Sequence, residues 1–149
     1  MLIETTRFGQ VEIDDSRIIT FKDGLLGFPE HRRYALIQTT EDGVFLWMQS
    51  LDDPALAFLV CDPLVFVPDY QVQVRADDLQ ALGMADVSEG RVLVIVNKAE
   101  GYLTGNLLGP LVIGQKSMLA KQLVLSDRRY KTRHRLVALS SPHAVSKSA

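Results

Sequence analysis

The sequence predicts an all-β domain, mainly antiparallel, folded as a small β-barrel-like or two-sheet arrangement with one short helix. Three observations carry this expectation. Short apolar or alternating runs recur along most of the chain, turn-forming residues separate them, and a single stretch has helical spacing.

The elements follow in order. Leu2 to Thr6 and Gln10 to Asp14 form the first two strands, with Gly9 in the turn between them. In Gln10-Val-Glu-Ile-Asp14 polar and apolar residues alternate, as a half-buried strand requires. Arg17 to Phe21 is a third strand. Lys22-Asp-Gly-Leu-Leu-Gly-Phe-Pro29 then supplies turn chemistry, since glycine tolerates positive φ and Pro29 disfavours helix at Phe28. Tyr34 to Gln38 and Val44 to Gln49 flank Asp42-Gly43, a strong local hairpin signal. The second of these strands is apolar on both faces, as are Ala57 to Cys61, Arg91 to Val96 and Leu111 to Ile113, which places them inside the sheet system. Tyr70-Gln-Val-Gln-Val74 alternates and predicts a strand with one wet face; Lys121 to Leu125 closes the regular part. The helix is Asp77-Asp-Leu-Gln-Ala-Leu-Gly83, with an acidic cap, Leu79 and Leu82 three apart, and Gly83 as terminator. Residues 1–136 are expected to form one domain. Residues 137–149 are expected to be a flexible tail, being Ser- and Ala-rich from Ser140 onward.

Composition narrows the function classes. A chain of 149 residues, 47% apolar and 23% charged, has the profile of an ordinary globular domain. At this size roughly 70% of the unfolded surface is buried, enough for a core without disulfides or metals. No apolar run reaches the ~20 residues of a membrane helix, and Met1-Leu-Ile-Glu-Thr-Thr-Arg is not a secretory signal. The single cysteine, Cys61, excludes an internal disulfide and agrees with a reducing cytoplasm. Charge is uneven. Residues 1–75 hold twelve acids and six bases, whereas residues 76–149 hold six acids and ten bases. The basic run Lys116 to Arg135 could meet phosphates, yet Tyr130 is the only aromatic within it, so no stacking platform emerges.

Catalytic signatures are missing. His31, His134 and His143 lie far apart with no metal-ligand spacing, and Cys61 followed by Asp62 is a poor nucleophile. Gly101, Gly105 and Gly109 recur every four residues without a phosphate-cradle pattern, and fit tight turning or close backbone approach. Most of the paired carboxylates stand beside proline or glycine, where they serve turns. No enzyme, cofactor or metal is expected; the chain is expected to act as a binder.

The same residues resemble a known family. Ile3-Glu-Thr-Thr-Arg-Phe-Gly-Gln-Val-Glu-Ile13, Ile19-Thr-Phe-Lys-Asp-Gly-Leu-Leu-Gly-Phe28, Phe45 to Pro63 and Pro68-Asp-Tyr70 are similar to motifs of the flagellar assembly factor family FliW. Thr104-Gly-Asn-Leu-Leu-Gly-Pro-Leu-Val-Ile113, Lys121 to Leu125 and Tyr130-Lys-Thr-Arg-His134 continue the match in order, so that it spans about residues 1–136. The resemblance implies a cytoplasmic, non-enzymatic protein with a small barrel-like fold. It also implies two exclusive partners, newly made flagellin and the translational repressor CsrA. Flagellin accumulating in the cell occupies the factor and leaves CsrA free to repress flagellin mRNA; export of flagellin reverses this. No direct nucleic-acid or membrane contact is expected, and a monomer is. An RNA-binding regulator acting through the basic C-terminal stretch is the alternative.

Two sets of residues are candidates for these contacts. Phe66, Tyr70, Leu107 and Leu108 adjoin Pro and Gly breaks where side chains can lie at the rim of an apolar groove, and Asp69, Asn106, Arg133 and His134 stand beside them in the matched motifs. Asp14, Asp15, Asp52 and Asp53 are candidates for an acidic face that steers a basic partner.

Overall fold

The computed structural model describes residues 1–139. Eleven strands and one short helix follow one another: β1 (Leu2–Thr5), β2 (Gly9–Glu12), β3 (Ile19–Phe21), β4 (Arg33–Gln38), β5 (Phe45–Ser50), β6 (Ala57–Cys61), α1 (Ala76–Ala81), β7 (Gly90–Ala99), β8 (Tyr102–Gly105), β9 (Leu111–Gly114), β10 (Leu119–Gln122) and β11 (His134–Ala138). β1 and β2 pair as a separate hairpin. The other nine form one sheet in the order β11-β8-β7-β6-β5-β4-β3-β10-β9, and β9 returns to pair with β7. That last pairing closes β3, β4, β5, β6, β7, β9 and β10 into a barrel of seven strands, leaving β8 and β11 as an extension of β7. Every pairing is antiparallel except β3 with β10.

The period-two geometry of strands explains why the central runs are apolar throughout. On β7, Leu93 and Ile95 face the barrel interior with Phe21, Tyr34, Leu46, Met48, Val60 and Leu111. Its alternate residues Val92, Val94 and Val96 face outward into a second core with Cys61, Tyr70, Leu107 and Tyr130. The doubly apolar pattern of Arg91 to Val96 therefore reports a strand covered on both faces. β7 also changes partner along its length. Gly90 to Leu93 pair with β9 and Val96 to Ala99 with β8.

Several boundaries differ from the sequence expectation. Tyr70 to Val74 is extended and its exposure alternates, but it joins no ladder. The alternation arises because Val72 and Val74 lie against the core beside Leu82, Met84 and Leu123, not because the segment pairs. α1 begins at Ala76 with Arg75 as its cap residue and no side-chain cap bond, so Asp77 and Asp78 lie in the first turn, where the helix dipole favours acids. β8 and β11 were not anticipated. Gly105, read as a site of close approach, is one: an added Cβ would lie 3.0 Å from Leu136 Cδ1 and 3.2 Å from Val94 Cγ2. β11 carries Val137 and Ala138 into pairing with Leu103 and Tyr102, two residues past the expected domain boundary at 136. Of the tail expected over 137–149, residues 140–149 lie outside the described residues.

Two outcomes follow from the double core. Leu107 is fully buried, so Leu107→Ala lowers unfolding free energy by roughly 2–5 kcal/mol in urea denaturation. Burial, with Asp62 adding to it, pushes the Cys61 thiol up to about 12. Cys61 therefore stays unmodified by a thiol-disulfide reagent at neutral pH and reacts only after denaturant unfolds the chain.

Candidate functional site

The first candidate set gathers on the outer core, and much of it is structural. Tyr70 is 6% exposed and Leu107 is 0% exposed, which corrects the expectation that their side chains line a rim. The Tyr70 hydroxyl donates to the Leu107 carbonyl at 2.6 Å, and its ring meets Tyr130 edge-on with centroids 4.7 Å apart. The Tyr130 hydroxyl accepts from the Gln71 amide, and the Leu107 amide donates to the Lys131 carbonyl at 3.1 Å. These bonds fasten the segment after β10 to the barrel wall. Phe66 is half-buried and packs on Phe45, while Leu108 is half-buried against the same core. Asn106 is half-buried, His134 pairs opposite Gly105 in β11, and of the set only Asp69 and Arg133 are exposed.

The acidic candidates form two groups around one small apolar cluster. Ile13 and Leu51, which directly precede Asp14 and Asp52, pack together with Ile3, Ala35 and Ile18. Asp14 accepts from the Ser16 amide and hydroxyl, bonds that hold its carboxyl below the usual range. Asp15 lies 3.5 Å from the Met1 amino group, which Glu12 also contacts at 2.7 Å. Asp53 accepts from the Ala55 amide in the turn before β6. Asp52 accepts from the amides of Arg32 and Arg33 and from the Arg33 guanidinium at 3.0 Å.

The basic stretch is partly neutralised. Lys121 donates to Asp78 at 2.6 Å, Arg129 pairs with Asp127 at 2.8 Å, and Arg135 lies over the Tyr102 ring at 4.3 Å. Tyr130 is buried and offers no face to a base. Among the described residues, no cluster of three or more His, Cys, Asp or Glu side chains could hold a metal, and no helix is long and apolar enough to cross a membrane.

An apolar groove opens elsewhere, at the loop read from sequence only as turn chemistry. After β3 the chain reverses through Gly24, whose φ is +67°, and an added Cβ there would lie 2.5 Å from the Phe28 carbonyl oxygen. Only glycine fits that turn. It sends Leu25 into the barrel core at 3% exposure and leaves Leu26 outside at 62%. The Leu26 amide donates to Gln122 Oε1 at 2.9 Å, tying the loop tip to β10. Between this loop, β10 and the end of α1 lies a groove of about 600 Å³. Leu26, Leu119, Ala81 and Leu82 supply apolar lining, with Lys22, Arg32 and Lys121 against the single acid Asp23. The signal that could have found it is the pair Leu25-Leu26 held between two glycines, where at most one leucine can turn inward.

The matches to known proteins agree with this architecture. A family described as FliW protein matches residues 2–136. A flagellar assembly factor FliW from Heliobacterium modesticaldum is 36% identical over 95% of this chain and 94% of its own length. One from Syntrophus aciditrophicus is 42% identical over 90% of this chain and 86% of its own. A crystal structure of the flagellar assembly factor FliW superposes with a TM-score of 0.82 at 33% identity, covering 92% of this chain and 97% of that one.

Asp52 gives this region a measurable pH signature. Burial raises its pKa, but the bonds from Arg32 and Arg33 outweigh that and leave it below the ordinary 3.8. A carboxyl with a depressed folded-state pKa adds stability above its unfolded value, and the gain is lost as pH falls through the folded value. Arg33 is half-exposed, so screening limits the gain. Asp52→Asn therefore costs roughly 1 kcal/mol at neutral pH, and the difference from the parent narrows below about pH 4 in urea titrations.

Proposed function

The chain belongs to the FliW family, so its role lies in flagellar assembly, and we propose that it fills that role as a non-enzymatic binder of cytoplasmic flagellin and, in exchange, of the repressor CsrA. The observation that carries this reading is the apolar groove beside Leu26 and Leu119. Flagellin offers amphipathic terminal helices that stay unpolymerised inside the cell, and such a helix lays its apolar stripe into a groove of this kind. Lys121 is paired with Asp78, which leaves Lys22 and Arg32 against Asp23 at the groove, a balance that suits a stripe flanked by acidic side chains. Tyr70 and Leu107 serve the fold, holding the outer core in place. The exposed Asp69 and Arg133 are further contact candidates, as are the exposed Leu64 and Val65.

CsrA is basic where it grips RNA. The carboxylates of Glu12, Asp14, Asp15, Asp52 and Asp53 around the β1–β2 hairpin supply the complementary field. Exchange between the partners needs only mass action: whichever is in excess lowers the free factor available to the other.

Charging the groove tests the reading. Leu26→Glu together with Leu119→Glu weakens capture of monomeric flagellin by roughly tenfold or more, as loss of an interface anchor does, while circular dichroism remains that of the parent. Undiminished capture by the folded double variant would overturn the groove assignment. Association with CsrA slows as salt rises from low to physiological, measured by stopped flow; a flat response removes the acidic steering.

A further inference from the structure

One end of the barrel opens into a polar-lined cavity. Inward-facing residues run in rows two apart: Ile19 and Phe21 on β3, Tyr34 and Leu36 on β4, Leu93 and Ile95 on β7, Leu111 and Ile113 on β9. Each row, extended by one step toward the same end, reaches a polar side chain. These are Arg17, Gln38, Arg91 and Gln115, and all four line one cavity of about 540 Å³. Its apolar lining includes Ile19, Leu46 and Ile113 of the barrel core.

Three observations separate this cavity from an ordinary solvated barrel end. First, its lining holds two arginines and no carboxylate, although acids outnumber bases in the chain by 18 to 16. Second, neither Arg17 nor Arg91 has a salt bridge or lies over an aromatic ring among the described residues. The nearby acids hydrogen-bond or pair elsewhere: Asp14 with Ser16, although the charge of Arg17 also reaches it, Asp15 with the amino terminus, and Glu89 with the amides of Ala85 and Asp86. Third, Met118 at the cavity edge has φ of +59°, a left-handed backbone that a non-glycine residue adopts at a cost. Bonds from the Met118 amide to the Gly114 carbonyl at 2.8 Å and from the Thr20 amide to the Met118 carbonyl at 2.9 Å hold it there. The loop between β9 and β10 thereby fixes Met118 at the cavity rim.

We propose that the open end of the barrel is a binding site for a small, multiply charged organic oxyanion. Arg17 and Arg91 engage its carboxylate or phosphoryl oxygens, the Gln38 and Gln115 amides meet its neutral polar groups, and its carbon skeleton rests on the barrel core. Guanidinium groups match such oxygens through paired N–H bonds, and barrel mouths of this volume are common small-ligand sites. The proposal does not depend on the groove or on either protein partner.

The test uses the full chain with citrate and inorganic phosphate as probes, titrated at ionic strength held constant with sodium chloride. Saturable amide shifts at Gln115 and Met118 in NMR, with a melting temperature that climbs with probe concentration, are expected. A citrate response alone assigns a carboxylate ligand, and a phosphate response assigns a phosphoryl group. Arg17→Gln, in an exposed turn outside the barrel strands, weakens the response roughly tenfold, and Arg91→Gln weakens it at least as much. Lys98→Gln, outside the cavity lining on the same strand as Arg91, leaves it unchanged. No response above sodium chloride with either probe, or equal responses in the parent and Arg17→Gln, would overturn the site.

Discussion

Everything in this fold depends on β7 being covered on both faces. Its inward residues complete the barrel interior and its outward residues found the second core. Its two halves pair with different neighbours, β9 at one end and β8 at the other. Without that strand the barrel would not close and the segment after β10 would have nothing to lie on. The apolar run from Val92 to Val96 serves both layers at once, which accounts for its lack of polar residues.

The consequence for function is a division of labour between interior and exterior. The strands of the barrel are committed to packing and hydrogen bonding, so the proposed recognition sites lie in what surrounds them: the loop after β3, the hairpin of β1 and β2, and the ends of the strands. Glycine geometry decides which side chains reach solvent there. Gly24 forces a reversal that separates Leu25 from Leu26, one to the core and one to the surface. A small local constraint thereby converts a core-like dipeptide into half of a groove.

How much of this was legible in the sequence depended on whether the signal was local. The β4–β5 hairpin around Asp42-Gly43, the buried Cys61 strand and the short helix near Asp77 all declared themselves through spacing and turn residues. A barrel was one of two arrangements expected, and the choice between them lay in the pairings of β7 with β9 and of β3 with β10, which join residues distant in sequence. Tyr70 to Val74 shows the opposite failure: its alternation was real but reported one-sided burial without a partner strand. Among the site residues, Tyr70 and Leu107 adjoin Pro68 and Gly109 and were expected at a rim, yet their large bodies went inward, as such residues usually do. Leu26 was missed because a turn was reason enough for its glycines.

The parallel pairing of β3 with β10 has a temporal consequence. Thr20 meets Leu119, nearly a hundred positions later, so a ribosome must deliver most of the polypeptide before the ring can shut. Until then β3 presents bare amides and carbonyls along one side, the kind of open flank onto which other extended chains can add. A product truncated before Leu119 would keep that flank permanently, which makes prematurely terminated copies, more than destabilised full-length ones, the natural seeds of aggregation for this architecture.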